Sequence, residues 1–298
     1  MKNGKKILLL LVTVVIAAGF LSSCKNKENT IVVSSKNYNE ALILGNMYAS
    51  IIEHNTDLTV VRKLNLGGTN VAFQAIKSGS IDLFPEYTGT GYVSIMKRSD
   101  TSDPQKVYEA MKEYYNENFD IAVLSPTGFN NTYAMAVRQD TAEKYNLKTC
   151  SDLAKVSDKL ILGSTFEFAE RDDGYLGMQK MYNMVFKDSK CVDGALRYQA
   201  LANGNSDVID AFTTDGLLKM YNLVVLEDDL NFFPPYHGVP IVRNETIKKH
   251  PEVKVQLERL AGLINDQTMI EMNYLVDNDG QDPEKVADNF LRSQGLIK

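Results

Sequence analysis

AIKSGSIDLFPEY at residues 75–87 and ALANGNSDVIDAF at residues 200–212 follow one pattern, and this pattern decides the fold. In each stretch a helix-like segment ends at a glycine, and an aspartate follows three residues later. A short strand then runs to an aromatic residue eight positions past the glycine. Glycine suits a helix end because it adopts the left-handed backbone conformation without strain. The shared spacing predicts two similar α/β lobes that carry Tyr87 and Phe212 at equivalent places.

Strand-like and helix-like stretches alternate along the rest of the chain, which favours α/β architecture. Strands are expected at residues 31–33, 121–124, 133–137, 160–162 and 223–226. Helices are expected at residues 40–54, after Asp103-Pro104, over most of the region past Arg243, and after Asp282-Pro283. In open α/β sheets, ligands bind beyond the carboxyl ends of strands. We therefore expect Tyr87 and Phe212 on the walls of one cleft between the lobes.

The N-terminus has the order of an export signal. A short basic stretch is followed by the apolar run Ile7–Phe20, which is short for a membrane span and fits the core of a signal peptide. Leu-Ser-Ser-Cys then ends at Cys24 and resembles the bacterial lipobox, in which the cysteine is diacylated. We predict a signal peptide at 1–23, lipidation of Cys24 and a polar tether at 24–30, so that the exported protein is anchored to the outer face of the cell membrane. The alternative is an uncleaved anchor helix.

Charge and reactive residues exclude several classes of protein. The net charge is −6 and becomes −9 without the three lysines of residues 1–23, so the chain is a poor candidate for binding nucleic acid, which requires a basic face. With three histidines and no nucleophile elbow, Cys/His metal spacing or phosphate loop, we predict no enzyme activity, cofactor or metal site. Cys150 and Cys191 either form a disulfide or remain two thiols.

Four aromatic residues lie in polar, turn-like surroundings and not in apolar stripes. They are Tyr87, Tyr133, Phe212 and Tyr236. A quaternary ammonium group has no N–H to donate, so a protein must recognise it through ring faces, each worth about 0.5–2 kcal/mol when desolvated. A single ring of this kind is ordinarily a loop-packing residue. Four together favour a cation cage.

Several longer strings resemble one family from about Ile31 to the end of the chain. The most specific are PEYTGT at residues 85–90 and FNNTY at residues 129–133. Supporting strings are SKN at 35–37, KLNLGGT at 63–69, SGSID at 78–82, DDGY at 172–175, VIDAFTTDG at 208–216 and PPY at 234–236. They resemble the glycine betaine/carnitine/choline-binding proteins of osmoprotectant ABC importers.

The resemblance implies a cage for the ligand's cationic end. Tyr87, Tyr133 and Tyr236 match three cage tyrosines of the family. The fourth cage position usually reads Asp-Ala-Tyr, and here it is Phe212. Phenylalanine retains the ring face and lacks the hydroxyl, so a cation–π role carries over and a hydroxyl hydrogen bond does not. If the ring face alone matters, Tyr87→Phe is expected to cost little.

The resemblance also implies a clamp for the ligand's carboxylate. Lys36, Thr90 and Arg171 match family positions that hold this group, and cationic and hydroxyl donors suit a carboxylate electrostatically. Two of these residues have plainer explanations. Lys36 could be an ordinary solvated lysine, and Arg171 could form a surface ion pair with Glu167.

The fold implied is a periplasmic-binding-protein-like clamp of two α/β lobes joined by a two-strand hinge. Lobe 1 is predicted to comprise 31–131 plus 236–298, and lobe 2 to comprise 132–235. The chain would cross near Asn131-Thr132 and again near Pro234-Pro235. Ligand binding would favour the closed form. That form would deliver a quaternary amine to ABC permease subunits, which work with a cytoplasmic ATPase.

Two alternatives remain open after this comparison. A sensory ligand-binding protein would use the same clamp. The ligand could also be a larger trimethylammonium compound, such as carnitine or ergothioneine, and Phe212 makes an unusual ligand more plausible.

Overall fold

The computed structural model describes residues 29–100, 102–171, 173–192, 194 and 196–298. The predicted signal peptide, Cys24 and residues 25–28 of the tether lie outside the described residues. Within the described chain, ten strands form two five-stranded sheets, ordered β2-β1-β3-β10-β4 and β7-β6-β8-β5-β9. The strands are β1 (Thr30–Ser34), β2 (Thr59–Lys63), β3 (Leu83–Tyr87), β4 (Ile121–Val123), β5 (Tyr133–Val137), β6 (Ile161–Ser164), β7 (Asp188–Cys191), β8 (Val208–Phe212), β9 (Val224–Leu226) and β10 (Gly238–Arg243).

Helices connect the strands and cover the sheets. They are α1 (Asn39–Asn55), α2 (Thr69–Lys77), α3 (Thr88–Thr90), α4 (Pro104–Phe119), α5 (Gln139–Tyr145), α6 (Cys150–Ala154), α7 (Phe166–Glu170), α8 (Tyr175–Met181), α9 (Leu196–Ala202), α10 (Gly216–Met220), α11 (Asn244–Lys249), α12 (Pro251–Glu258), α13 (Asp266–Asp277) and α14 (Pro283–Ser293). A π-helical turn covers Gly91–Ile95 and a 3₁₀ turn covers Ser157–Lys159. Asp103 and Asp282 cap α4 and α14, as their Asp-Pro signals predict.

The two repeated stretches occupy equivalent places. β3 and β8 are the central strands of their sheets, and each has a parallel neighbour on one side and an antiparallel neighbour on the other. The glycines at the preceding helix ends, Gly79 and Gly204, have φ values of 72° and 74°. Both lie in the left-handed region, where other residues are strained. The predicted equivalence of the two stretches is confirmed.

The aspartate of each repeat fastens its strand to the neighbouring parallel strand. Asp82 Oδ2 accepts a hydrogen bond from the amide of Val32 at 2.8 Å. Asp207 Oδ2 accepts one from the amide of Ile161 at 2.9 Å. In both lobes the carboxylate accepts a hydrogen bond from a main-chain amide of the neighbouring parallel strand and so satisfies that donor. This shared role explains why the aspartate keeps its place in both stretches.

The chain passes twice between the sheets, between β4 and β5 and again between β9 and β10. The two passages are hydrogen-bonded side by side: the Asn131 amide donates to Tyr236 O at 3.1 Å, and Thr132 Oγ1 donates to Pro234 O at 3.0 Å. The strands of the first sheet lie in the range predicted for lobe 1, apart from Thr30, and those of the second in the range predicted for lobe 2. The boundaries themselves stay a prediction.

Helix α1 forms the centre of the lobe 1 core. It packs against β1, β2 and β3 and against the C-terminal helices α12, α13 and α14. Leu44, Met47, Tyr48 and Ile51 are fully buried along it, and each buried apolar side chain of this size contributes about 1.5–3 kcal/mol. This packing fixes the position of the N-terminal turn of α1, which lies beside the end of β3.

The two later cysteines are separate thiols. Cys150 is buried at the start of α6, and burial raises the pKa of its thiol. Cys191 is exposed at the end of β7. Of the two possibilities for this pair, the structure therefore contains free thiols. Across residues 29–298, leaving aside those not described, no helix is both long and apolar enough to cross a bilayer.

Candidate functional site

Tyr87 and Tyr236 are held together by the PEYTGT string. Tyr87 ends β3 opposite Gly238 of β10, and Thr88 Oγ1 donates to Pro235 O at 3.1 Å. A Cβ atom at Gly89 would lie 2.6 Å from Pro235 O and 2.8 Å from the Tyr236 ring. The glycine is therefore needed because the Tyr236 ring lies directly against the backbone. Both tyrosines are largely buried and belong to one apolar cluster.

Tyr133 and Phe212 form a second pair of rings. They are directly opposite each other in the antiparallel pairing of β5 with β8, and their ring centroids are 4.7 Å apart. Phe168 and Phe233 pack on Tyr133, with centroid distances of 5.2 and 6.0 Å. Such offset aromatic pairs stabilise each other beyond simple area burial. The phenylalanine at the unusual cage position is thus part of a ring stack, and it remains partly exposed.

Asp173 and Arg171 connect the two ring pairs. Tyr236 donates its hydroxyl to Asp173 Oδ2 at 3.1 Å, and Arg171 binds the same carboxylate through Nε at 2.6 Å and Nη2 at 2.5 Å. The guanidinium carbon of Arg171 lies 6.0 Å from the centroid of Tyr133. Burial tends to raise the pKa of Asp173, but the hydrogen bonds and charge of Arg171 outweigh it and keep that pKa below its ordinary value.

Arg171 has a carboxylate partner within the site. Arg171 forms an ion pair with Asp173 and is partly buried, with its guanidinium beside the ring of Tyr133. The hydrogen bonds to Asp173 raise the pKa of Arg171, so its charge is permanent. A guanidinium beside aromatic faces is a suitable group for a ligand carboxylate. That role stays a prediction.

Lys36 and Thr90 lie on the lobe 1 side of the site. Lys36 is 4% exposed, so it is not a solvated surface lysine. Its Nζ is paired with Glu86 Oε1 and lies 5.2 Å from the Tyr87 centroid. Because this charge is already compensated within the protein, Lys36 can give only part of its electrostatic attraction to a ligand. Thr90 is the last residue of the short helix α3, which begins directly after Tyr87, and its side chain is partly exposed.

The FNNTY string ties the chain passages to both lobes. Asn130 Oδ1 accepts from the amide of Tyr236 at 2.7 Å, and Thr213 Oγ1 donates to Asn130 O at 2.6 Å. Asn131 Nδ2 donates to Glu40 Oε1 at 2.7 Å. The two asparagines therefore fix Tyr236 and connect the passages with the first turn of α1. This explains why a polar string precedes Tyr133.

A family model matches residues 29–293 of the chain and is described as the substrate-binding domain of an ABC-type glycine betaine transport system, OpuAC. The match covers nearly all of the described residues. The chain belongs to the OpuAC family. Membership confirms the resemblance seen in PEYTGT and FNNTY.

Individual OpuAC-family relatives are similar in sequence to this chain over most of its length. It is 38% identical to the carnitine transport binding protein OpuCC of Listeria monocytogenes, over 99% of this chain and 98% of that protein. It is 37% identical to the ergothioneine transport permease/ergothioneine binding protein EgtU of Helicobacter pylori, over 91% of this chain and 48% of the longer relative. A crystal structure of a glycine betaine/carnitine/choline ABC transporter protein superposes with a TM-score of 0.84 at 34% identity. It covers 90% of this chain and all of that one. The predicted bilobal α/β fold is confirmed.

The OpuAC-family site contains residues that the sequence motifs predict and others that they do not. Tyr87 lies near Tyr236, Tyr133 near Phe212, and the Arg171–Asp173 pair connects the two groups. Tyr87 and Phe212 belong to different sheets. That both line one cleft stays a prediction, as does the binding role of each residue. Asp173 and Glu40 are the chief omissions, although Asp173 lies within the supporting string DDGY.

Proposed function

We propose that this OpuAC-family protein captures a small quaternary-ammonium compound between its lobes and delivers it to an ABC permease. The observation that carries the proposal is the connected set of rings around the Arg171–Asp173 pair, with Tyr236 on one side and Tyr133 on the other. Electron-rich ring faces and a fixed cation in one site suit a ligand that carries both a trimethylammonium group and a carboxylate.

Each ligand end has its own set of residues in this proposal. Tyr87, Tyr133, Phe212 and Tyr236 surround the cation, which gains roughly 0.5–2 kcal/mol from each desolvated ring face. Arg171, Lys36 and Thr90 hold the carboxylate through charge-assisted and hydroxyl hydrogen bonds. Lys36 and Arg171 are already paired with Glu86 and Asp173, so each shares its charge between that partner and the ligand.

A thermal-shift screen tests the proposed ligand class. We expect glycine betaine or carnitine at 100 times its Kd to add about 2.7 kcal/mol of stability. For a chain of this size that stabilisation corresponds to several degrees of melting temperature. Choline, which lacks a carboxylate, should give a smaller shift. If none of the trimethylammonium compounds raised the melting temperature, the proposed function would be wrong.

Ergothioneine is a second candidate ligand. The 37% identity to EgtU supports it, as does Phe212, which departs from the usual cage tyrosine. A larger shift with ergothioneine than with glycine betaine or carnitine would assign the protein to this ligand. Mass spectrometry of each compound after incubation with the protein should recover it unchanged, since we propose binding without turnover.

Anchoring on the outer face of the cell membrane is also proposed, on the basis of the lipobox-like sequence ending at Cys24. Two acyl chains on this cysteine would hold the protein stably where one would not. We expect Cys24→Ala to move the protein from the membrane fraction to the medium or periplasm. Cys191→Ala is the matched control and should leave the distribution unchanged. Membrane association of Cys24→Ala at the wild-type level, with no acyl mass on the wild-type N-terminus, would contradict the proposal.

A further inference from the structure

Glu40 is a buried carboxylate that accepts four hydrogen bonds, each 2.7 Å long. Oε1 accepts from the Tyr87 hydroxyl and from Asn131 Nδ2. Oε2 accepts from Thr214 Oγ1 and from Asn273 Nδ2. All four donors are neutral protein groups, and Glu40 itself is 4% exposed. A buried carboxylate this fully surrounded by donors is an organised node and not a helix-surface acid.

The four donors come from separate parts of the molecule. Tyr87 ends β3 and Asn273 lies on α13, both in lobe 1. Asn131 belongs to the first chain passage, and Thr214 follows β8 in lobe 2. Asn273 Nδ2 also donates to the main-chain oxygen of Thr214 at 2.8 Å, which adds a second bond between the lobes.

The two amides are oriented towards this node. Asn131 and Asn273 direct their Nδ2 atoms at Glu40, while their buried Oδ1 atoms have no hydrogen-bond partner among the described residues. An unmade hydrogen bond at a buried carbonyl is costly. The amide orientation is therefore explained by the need to satisfy the carboxylate.

We propose that Glu40 is a positioning residue that couples the ring of Tyr87 to closure of the lobes. The carboxylate fixes the Tyr87 hydroxyl on one side and accepts the lobe 2 hydroxyl of Thr214 on the other. The Tyr87 ring is therefore held in its binding position in the closed form, in which Thr214 also bonds to Glu40. The part played by Tyr87 in binding rests on the proposed function, whereas the connection between the lobes does not.

The energetic basis is the dependence of a buried carboxylate on its donors. Burial raises the pKa of Glu40, and the four hydrogen bonds oppose this rise. The charge at the N-terminal turn of α1 is further favoured by the helix dipole. Removing one donor leaves a carboxylate oxygen under-satisfied in the closed form only, because water replaces that donor once the lobes separate. Loss of the Thr214 hydroxyl should therefore disfavour closure.

The test compares Thr214→Val with Thr246→Val in the purified protein. Thr246 is buried as well and donates to Asp82 Oδ1 at 2.7 Å, but both of these residues lie in lobe 1. We expect Thr214→Val to weaken glycine betaine binding about tenfold through faster dissociation, and Thr214→Ser to restore it. Thr246→Val should lower the melting temperature and leave the dissociation constant unchanged. Thr214→Val and Tyr87→Phe should be non-additive in binding, since both act through Glu40.

Small-angle X-ray scattering without any ligand separates this proposal from the proposed function. We expect Thr214→Val to shift the scattering of the free protein towards a more extended form, and Thr246→Val to leave it unchanged. Failure of glycine betaine to bind wild-type protein would contradict the proposed function while this comparison still tests Glu40. Identical scattering of wild-type and Thr214→Val protein would overturn the coupling, as would equal effects of the two valine variants.

Discussion

Replacing the ligand's nitrogen by carbon is expected to weaken binding by about 2–6 kcal/mol. Glycine betaine and 3,3-dimethylbutanoate have nearly the same shape and the same carboxylate, and they differ in the cationic charge. Three or four ring faces at roughly 0.5–2 kcal/mol each sum to about 1.5–8 kcal/mol, and the expected loss is the middle of that interval. It corresponds to a loss of about thirtyfold to more than ten-thousandfold in affinity. Isothermal titration calorimetry of both compounds measures the difference directly.

Hydrophobic burial cannot produce this result. The carbon compound buries the same apolar area and is less strongly hydrated, so a purely apolar pocket would bind it equally well or better. Equal affinity for the two compounds would therefore mean that Tyr133, Phe212 and their neighbours are packing residues. The proposal of a quaternary-ammonium ligand would then be wrong.

Variants of Tyr87 distinguish the ring from its hydroxyl in the same assay. Tyr87→Ala should cost at least about 1 kcal/mol of binding without unfolding the protein. Tyr87→Phe would cost little if the ring face alone mattered, but the structure gives the hydroxyl a partner in Glu40. We therefore expect Tyr87→Phe to fall between wild type and Tyr87→Ala. A stability loss in Tyr87→Ala with unchanged affinity would identify the ring as part of the lobe 1 core.

The fold could be predicted from sequence because its signals are local. Gly79 and Gly204 are needed for helix ends, and an aspartate three residues later satisfies the neighbouring strand. Asp-Pro pairs start α4 and α14 through bonds to the next residues. Such signals depend on a few adjacent positions and not on residues far away in the chain.

The site could be predicted only in part, because its supporting contacts join distant positions. From the sequence alone, Glu40 cannot be distinguished from an ordinary acidic residue in the first turn of a helix. Its partners Thr214 and Asn273 lie 174 and 233 residues away. Tyr236 reaches Asp173 over 63 residues. The named aromatics lie in distinctive strings, as do Asn131 and Asp173, but Glu40 and Asn273 lie in none of them. The contacts of all four supporting residues join positions far apart in the chain, which no local pattern predicts.

Gly216→Ala is expected to weaken ligand binding by about 2–3 kcal/mol, because it blocks the approach of the lobes. Gly216 begins α10 in lobe 2, and its neighbour across the interface is the backbone of α13 in lobe 1. A Cβ at this position would lie 2.6 Å from the Tyr274 amide nitrogen and 2.7 Å from its Cα. Backbone atoms within a helix cannot rotate away as a side chain would. The extra methyl group should therefore destabilise the closed form by an amount near the upper end of the usual overpacking range of about 1–3 kcal/mol.

The stability of the open form should not change with this substitution, since the methyl group would then face solvent. Gly216→Ala should consequently leave the melting temperature of ligand-free protein close to the wild-type value while the Kd for glycine betaine rises about thirtyfold or more. Gly163→Ala is the matched control, because its Cβ would lie 2.8 Å from Ser206 Oγ within lobe 2. It should lower stability and leave affinity nearly unchanged. If Gly216→Ala instead destabilised the free protein as Gly163→Ala does and bound glycine betaine normally, the contact of α10 with α13 would be a permanent part of the core. Closure would then have to occur elsewhere in the molecule.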